Sequence, residues 1–215
     1  MSAEIEVAVV DYGAGNLRSV SKALERSGLG AKIVTEPEEV RAADAIVLPG
    51  VGAFPDAVAS LQKNGLDQAL CEQIRSGTPY LGLCLGLQLL FEESDEHGNA
   101  KGFGIFEGRV ERFPKTNPDG SPLCVPHIGW NEVVFEGTHP MVSRLPASDY
   151  LYFVHSYYAV PKEESIIAGR TDYAGPFTAA VAKDNVFAVQ CHPEKSQWAG
   201  KRLLDAFAAW LASGA

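Results

Sequence analysis

The stretch Pro79-Tyr-Leu-Gly82-Leu-Cys84-Leu-Gly86-Leu-Gln88 puts a single thiol between two glycines, where an extended apolar run turns helical. A sharp strand-to-helix step holds such a residue in a strained backbone conformation, and the flanking glycines leave room for the chain to pack around it. At a helix N-terminus the dipole favours a thiolate. The N–H of Leu85 would point to the same place, ready for an oxyanion. The competing reading is an inert core cysteine, since cysteine is among the most buried residue types.

A thiol nucleophile needs a base, and the base needs an orienting group. The apolar segment 186–191 ends in His192-Pro193-Glu194. Histidine, with an unperturbed pKa of ~6.5, suits exchange of a thiol proton near neutrality. Pro193 stops the strand, so His192 and Glu194 sit on a rigid exit. Two residues apart in extended backbone, they project to one side, and the Glu194 carboxylate then fixes the imidazole tautomer. A third motif, Pro49-Gly50-Val51-Gly52, follows the apolar run 45–48. Pro49 is expected to end that strand. The glycine-rich loop beyond it offers backbone N–H donors, each worth roughly 10²–10³ in rate when aimed at a developing oxyanion. Taken alone, this loop is equally a plain strand-to-helix turn.

The other histidines have weaker claims. His97 falls in a polar loop, and His139 precedes Pro140 in a turn. His127 and His155 lie in apolar aromatic strands, where a satisfied core histidine is the default. A zinc site from Cys84, Cys191 and His192 lacks the ligand spacing such sites use. No metal or cofactor is expected.

The elements that must position these residues follow from hydrophobic period. The first half alternates strand and helix: strand at 5–12, helix at 16–28 spaced by Leu17, Val20 and Leu24 and stopped by Gly28, strand at 31–36, and short helix at 37–43 opened by Pro37. A strand at 45–50, helices at 53–65 and 66–77, a strand at 79–84 and a helix at 85–94 complete it. Continuous apolar strands alternating with helices predict a parallel sheet covered on both faces. The second half is rich in Val, Phe and Tyr over 105–113, 126–137, 150–160, 165–173 and 177–190, with turn signals at Pro118-Asp119-Gly120 and Asp184-Asn185. These read as antiparallel strands extending the sheet. A last helix over 196–213 carries the stripe Leu203, Phe207, Trp210 and Leu211, with Ser196 placed to cap it. The expectation is an α/β fold, an open mostly parallel sheet flanked by helices, in one domain over 1–215.

Bulk properties narrow the function. The chain has 215 residues and a formal net charge of −9, which argues against nonspecific binding to nucleic acid or to an anionic membrane. Four scattered cysteines without a CxxC pair fit a reducing cytoplasm better than a disulfide framework. The acidic start lacks a basic signal-peptide n-region, and the longest apolar run falls short of the roughly 20 residues a membrane span needs.

The three motifs in this order resemble the class I, triad-type glutamine amidotransferases along the whole chain. That resemblance implies a flavodoxin-like glutamine amidotransferase fold. It also implies hydrolysis of L-glutamine through a cysteine thioester, with the ammonia passed to a synthase partner. By the same resemblance Cys84 is the nucleophile, His192 the acid/base, Glu194 its orienter, and Val51 and Leu85 the oxyanion donors. Gln88, Gly50, Gly52, Ser156 and Tyr157 would line the glutamine pocket. Asp11-Tyr-Gly-Ala-Gly-Asn16-Leu-Arg18, Pro126-His127-Ile-Gly-Trp130-Asn131 and Tyr152-Phe-Val-His-Ser156-Tyr157 resemble, within that family, the glutaminase subunits of imidazole glycerol phosphate synthases. This implies a heterodimer with a (β/α)₈ cyclase subunit in histidine biosynthesis, facing it with Asn16, His127, Trp130, Asn131 and Lys195. It also implies low glutaminase activity without that partner.

The rival readings are glutaminase subunits serving anthranilate, aminodeoxychorismate or pyridoxal phosphate synthesis, a non-catalytic module of the same fold, and a cysteine peptidase. A dinucleotide site at Gly13-x-Gly15 is disfavoured because Arg18 stands where the third glycine belongs.

Overall fold

The computed structural model describes residues 5–214. The first half consists of β1 (Glu6–Val10), α1 (Leu17–Arg26), β2 (Gly30–Val34), α2 (Pro37–Arg41), β3 (Ala45–Gly50), α3 (Phe54–Lys63), α4 (Leu66–Ser76), β4 (Tyr80–Cys84) and α5 (Leu85–Gln88). The second half adds β5 (Phe91–Ser94), β6 (Ala100–Lys101), β7 (Phe106–Arg112), β8 (His127–Phe135), β9 (Ser148–His155), β10 (Tyr157–Pro161), β11 (Ile167–Asp172), β12 (Pro176–Lys183), β13 (Val186–Val189) and α6 (Gln197–Ala212).

The strands β2-β1-β3-β4-β13 form a parallel block. Antiparallel β12 pairs the far side of β13 and continues the sheet through β10 and β7, while β11, β8 and β9 branch from β12. Strand period sorts the apolar residues onto two faces. Val7, Val9, Val47, Leu81 and Phe187 meet α1 and α6 through Val20, Leu24, Leu203 and Phe207. Ala8, Val10, Ile46, Leu48 and Tyr80 meet α2, α3 and α4 through Val40, Leu61, Leu66 and Leu70. Each central strand is therefore buried on both sides, the reason its sequence reads as a continuous apolar run.

Four expectations are corrected. The stretch 177–190, expected as antiparallel, turns at Asp184-Asn185, and its second part, β13, joins the parallel block beside β4. The helix expected over 85–94 stops after one turn at Gln88, and residues 91–94 become β5, parallel to β7. The carbonyls of Leu89 and Leu90 instead accept from Phe103 and Ile105, at 2.8 and 2.9 Å, so a later segment takes over the bonds that a helix would have used. Pro49 does not end its strand. Its neighbour β1 leaves off at Val47, so Pro49 loses no ladder bond on that side while Gly50 still pairs with Cys84. The stretch 150–160 divides at Ser156 into β9, which pairs β8, and β10, which pairs β7.

Candidate active site

The C-terminal ends of β3, β4 and β13 lie side by side in register, with Gly50 beside Cys84 and Leu83 beside Val189. Loops leaving parallel strands at this end converge, so three motifs far apart in sequence meet around one cavity. Cys84 takes φ +53°, a backbone conformation disfavoured for a residue with a Cβ. What imposes it is close packing around the turn. A Cβ on Gly82 would stand 2.7 Å from the Gly86 carbonyl oxygen, and one on Gly86 would collide with the Leu48 carbonyl. The Tyr80 hydroxyl donates to the Gly86 carbonyl at 2.8 Å and pins the single helical turn after the thiol. Because α5 is only four residues long, its dipole is small.

His192 closes the cavity from the β13 side. Its backbone N–H donates to the Tyr152 carbonyl at 2.8 Å, and its own carbonyl accepts from Ser196 Oγ at 2.7 Å. The same Oγ accepts from the Tyr152 N–H at 2.9 Å, so Ser196 clamps the histidine to β9 rather than capping α6 with its side chain. His192 Nδ1 and Glu194 Oε1 are 2.9 Å apart, both side chains almost fully buried. The pair forms through the tight 3-10 turn Pro193–Lys195, not through the extended backbone expected from the sequence. A side chain on Gly200 would run into the Pro193 carbonyl, so glycine there lets α6 close on this turn.

Burial opposes a charge on His192, but the facing Cys84 sulfur, in its ionised form, and the Glu194 carboxylate outweigh it and raise its pKa to about 10. Its Nε2, buried and without a formed hydrogen bond, is the nitrogen left for proton exchange. The geometry relative to Cys84 is looser than a hydrogen bond, as is common before a substrate tightens a site. With so short a helix behind the thiol, the imidazolium is the main positive charge available to a thiolate.

The cavity, about 400 Å³, is lined by Val51, Gly52, Cys84, Leu85, Gln88, Ser156, Tyr157 and His192 among the residues expected there. Gly50 is not in the lining. It lies behind the loop, where a Cβ would stand 2.6 Å from the Tyr12 hydroxyl and 2.7 Å from Leu85 Cβ, so its part is to allow close packing. Gln88 Nε2 donates to the Tyr157 carbonyl at 2.8 Å and to Gln190 Oε1 at 3.1 Å. Gln190, fully buried, in turn donates from Nε2 to Cys84 Sγ at 3.5 Å. The sequence reading missed Gln190, although a glutamine closing the apolar run 186–189 two places before His192 is a visible signal. It also missed Glu96 and His155, both in the lining. Glu96 comes from a polar loop and is held by accepting from the Phe54 N–H at 2.8 Å, a contact no local pattern reveals.

Of the residues expected on a partner-facing surface, Asn16, Trp130 and Lys195 are exposed and Asn131 is half-buried. Lys195 Nζ lies 5.9 Å from the Tyr152 ring centroid, and Tyr152 packs edge-on against Trp130. His127 is a correction. It is buried inside an aromatic cluster, stacked between Phe153 and Tyr173. Period two on β8 sends Trp130 outward and His127 inward, so the two side chains cannot share one face. Among the described residues no cluster of metal-ligating side chains is found, and no helix is long and apolar enough to cross a membrane.

A strained cysteine elbow, a buried His–Glu pair and a glycine loop meet at the ends of parallel strands, an arrangement suited to amide cleavage through a thiol. The family model for class-I glutamine amidotransferases matches residues 8–209, and the chain belongs to that family. It is a glutamine amidotransferase, an enzyme of the glutaminase type. The chain is 47% identical over 205 residues to the imidazole glycerol phosphate synthase subunit HisH of Desulfitobacterium hafniense (strain Y51), covering 95% of this chain and 94% of that one. It is likewise 47% identical over 202 residues to the subunit of the same name from Syntrophotalea carbinolica, covering 94% and 98%. Among solved structures it resembles PurLQS from Thermotoga maritima, with a TM-score of 0.75, 20% identity, and 97% and 99% of the two chains covered.

Proposed function

We propose that this chain is the glutaminase subunit of an imidazole glycerol phosphate synthase, and that Cys84, His192 and Glu194 are its catalytic triad. The observation that carries the reading is the buried His192–Glu194 pair facing Cys84 across a cavity of about 400 Å³. The Cys84 thiolate attacks the side-chain carboxamide carbon of glutamine. Backbone N–H groups of Val51 and Leu85 receive the oxyanion. His192, protonated at neutral pH by its raised pKa, gives its Nε2 proton to the departing ammonia and leaves a thioester. A water molecule that loses a proton to His192 then attacks the thioester, releasing glutamate and restoring the thiolate–imidazolium pair. Gln88, Ser156 and Tyr157 hold the amino-acid end, and the Glu96 carboxylate supplies the negative charge suited to an α-ammonium group.

Ammonia released into water would be lost, so the product passes directly to a cyclase subunit. That partner docks on the face where Ile128, Trp130 and Tyr150 stand exposed beside Lys195, with Asn16 at the start of α1. The enzyme works in the cytoplasm, where its free cysteines persist. The test is glutamate release by the chain with the cyclase and its nucleotide substrate, against each omitted in turn. Cys84→Ala is expected to lower kcat by about 10⁴-fold or more. Hydrolysis at the normal rate by that variant, or equal turnover with and without the cyclase, overturns the reading.

A further inference from the structure

Two buried histidines outside the triad form a hydrogen-bonded pair whose proton positions are dictated by their neighbours. Asn131 Nδ2 donates to the Asp172 carbonyl at 2.9 Å and lies 3.3 Å from His127 Nε2, so that nitrogen accepts. His127 therefore carries its hydrogen on Nδ1, which stands 3.1 Å from His155 Nε2. His155 Nε2 accepts in turn, and His155 Nδ1–H donates to the Tyr157 carbonyl at 2.9 Å. Every link has one direction only, because the chain begins on an amide N–H and ends on a carbonyl.

The Tyr157 carbonyl also receives Gln88 Nε2, at 2.8 Å. Both of its lone pairs are then used. Both Gln88 amide hydrogens are used too, the second by Gln190. Gln88 is left with only its Oε1 to offer the cavity, an acceptor for a substrate N–H or ammonium group. Burial keeps both imidazoles neutral, lowering the pKa of His127 to about 4 and that of His155 to about 3. The pair thus acts as a rigid strut from Asn131, beside the exposed Trp130, to the carbonyl that orients Gln88.

We propose that His127 and His155 are positioning residues for glutamine binding: as a neutral pair they hold the Tyr157 carbonyl against Gln88 and tie that setting to Asn131 on β8. The proposal rests on the glutaminase reading above. It gives a binding task to two histidines that the reaction itself does not use.

The test is steady-state glutaminase kinetics of the complex with its cyclase. His155→Leu removes both links and is expected to raise KM for glutamine by about 10-fold while kcat changes less than about 3-fold. His155→Asn keeps an N–H near the Nδ1 position and is expected to hold KM within about 3-fold of wild type. Asn131→Ala should raise KM by a few-fold in the wild-type background and by nothing further in His155→Leu. Equal KM increases in the Leu and Asn variants, or an unchanged KM in His155→Leu, overturn the proposal. Side-chain ¹⁵N spectra supply a readout independent of turnover: both histidines should be neutral Nδ1–H tautomers at pH 6–8, and an Nε2–H form of either overturns the pairing. A wild-type complex that releases no glutamate would overturn the glutaminase reading and this proposal with it. Normal turnover with unsplit variants overturns this proposal alone.

Discussion

His192 and His155 are comparably hidden, 3% and 6% exposed, yet the pKa of one is raised to about 10 and that of the other lowered to about 3. Burial pushes both downward, since a low-dielectric interior disfavours an imidazolium. The difference lies in what each ring faces. His192 has the Cys84 sulfur opposite, which rewards a positive charge once ionised, and the Glu194 carboxylate on Nδ1, which rewards it too. His155 meets a neutral imidazole and a carbonyl, with His192 itself as a nearby like charge. One cavity therefore holds a proton donor on one wall and an uncharged strut on another, and the charged partner rather than the depth decides which is which.

The sharpest way to break this contrast is to take the charge from His192. Glu194→Gln keeps the shape of the pair but removes the carboxylate, and kcat is expected to fall by about 10²–10⁴-fold. Titration of the His192 ring by NMR should then show a markedly lower pKa; an unchanged value would mean that Glu194 is not the counter-charge. Because the wild-type folded pKa lies above the unfolded one, this group's contribution to stability is full below pH ~6.5 and is lost as pH rises toward 10, by at most about 1.4 kcal/mol per unit. The Glu194→Gln protein should show a shallower alkaline slope, the part set by Cys84 remaining.

The opposite sign is expected on the neutral side. His127 and His155 have folded pKa values below the unfolded one, so their contribution is full above pH ~6.5 and is lost as pH falls toward 4 and 3. His127→Phe removes one such group while keeping a ring in the aromatic cluster. Its stability should fall less steeply between pH 6 and 4 than that of wild type, by up to about 1.4 kcal/mol per unit, read from thermal or urea midpoints. Parallel slopes would show that His127 takes up its proton without unfolding.

The smallest effect is expected from the clamp behind His192. Ser196→Ala leaves both rings untouched but frees the bond between the His192 carbonyl and Ser196 and the one to the Tyr152 N–H. A loss of about 1 kcal/mol in stability with a few-fold fall in kcat is expected, and the His155 tautomer should not change. A change at His155 would mean that the two walls of the cavity are not independent.

Much of this protein is written in local pattern. Continuous apolar strands alternating with helices announced a parallel sheet covered on both faces, and the two faces sort as strand period requires. The glycines around Cys84 and the His-Pro-Glu exit were legible because a tight elbow and a strand stop each demand particular residue types at fixed offsets. His127 lies inward, where the apolar aromatic composition of its strand had put it by default, whereas the family resemblance had sent it to the partner-facing surface.

Other features depend on segments that meet only in three dimensions. The single-turn helix after Cys84 is short because Phe103 and Ile105 claim the next carbonyls. Gln190 reaches the thiol, and Glu96 the cavity, across more than forty residues of sequence. Residue order determined the kind of sheet, the elbow and which side chains are candidates for the chemistry, because those follow from period, backbone freedom and side-chain chemistry. Which histidine carries a proton was decided by tertiary structure, because a pKa is set by the charges and dipoles placed around a ring, and neighbours distant in sequence supply most of them.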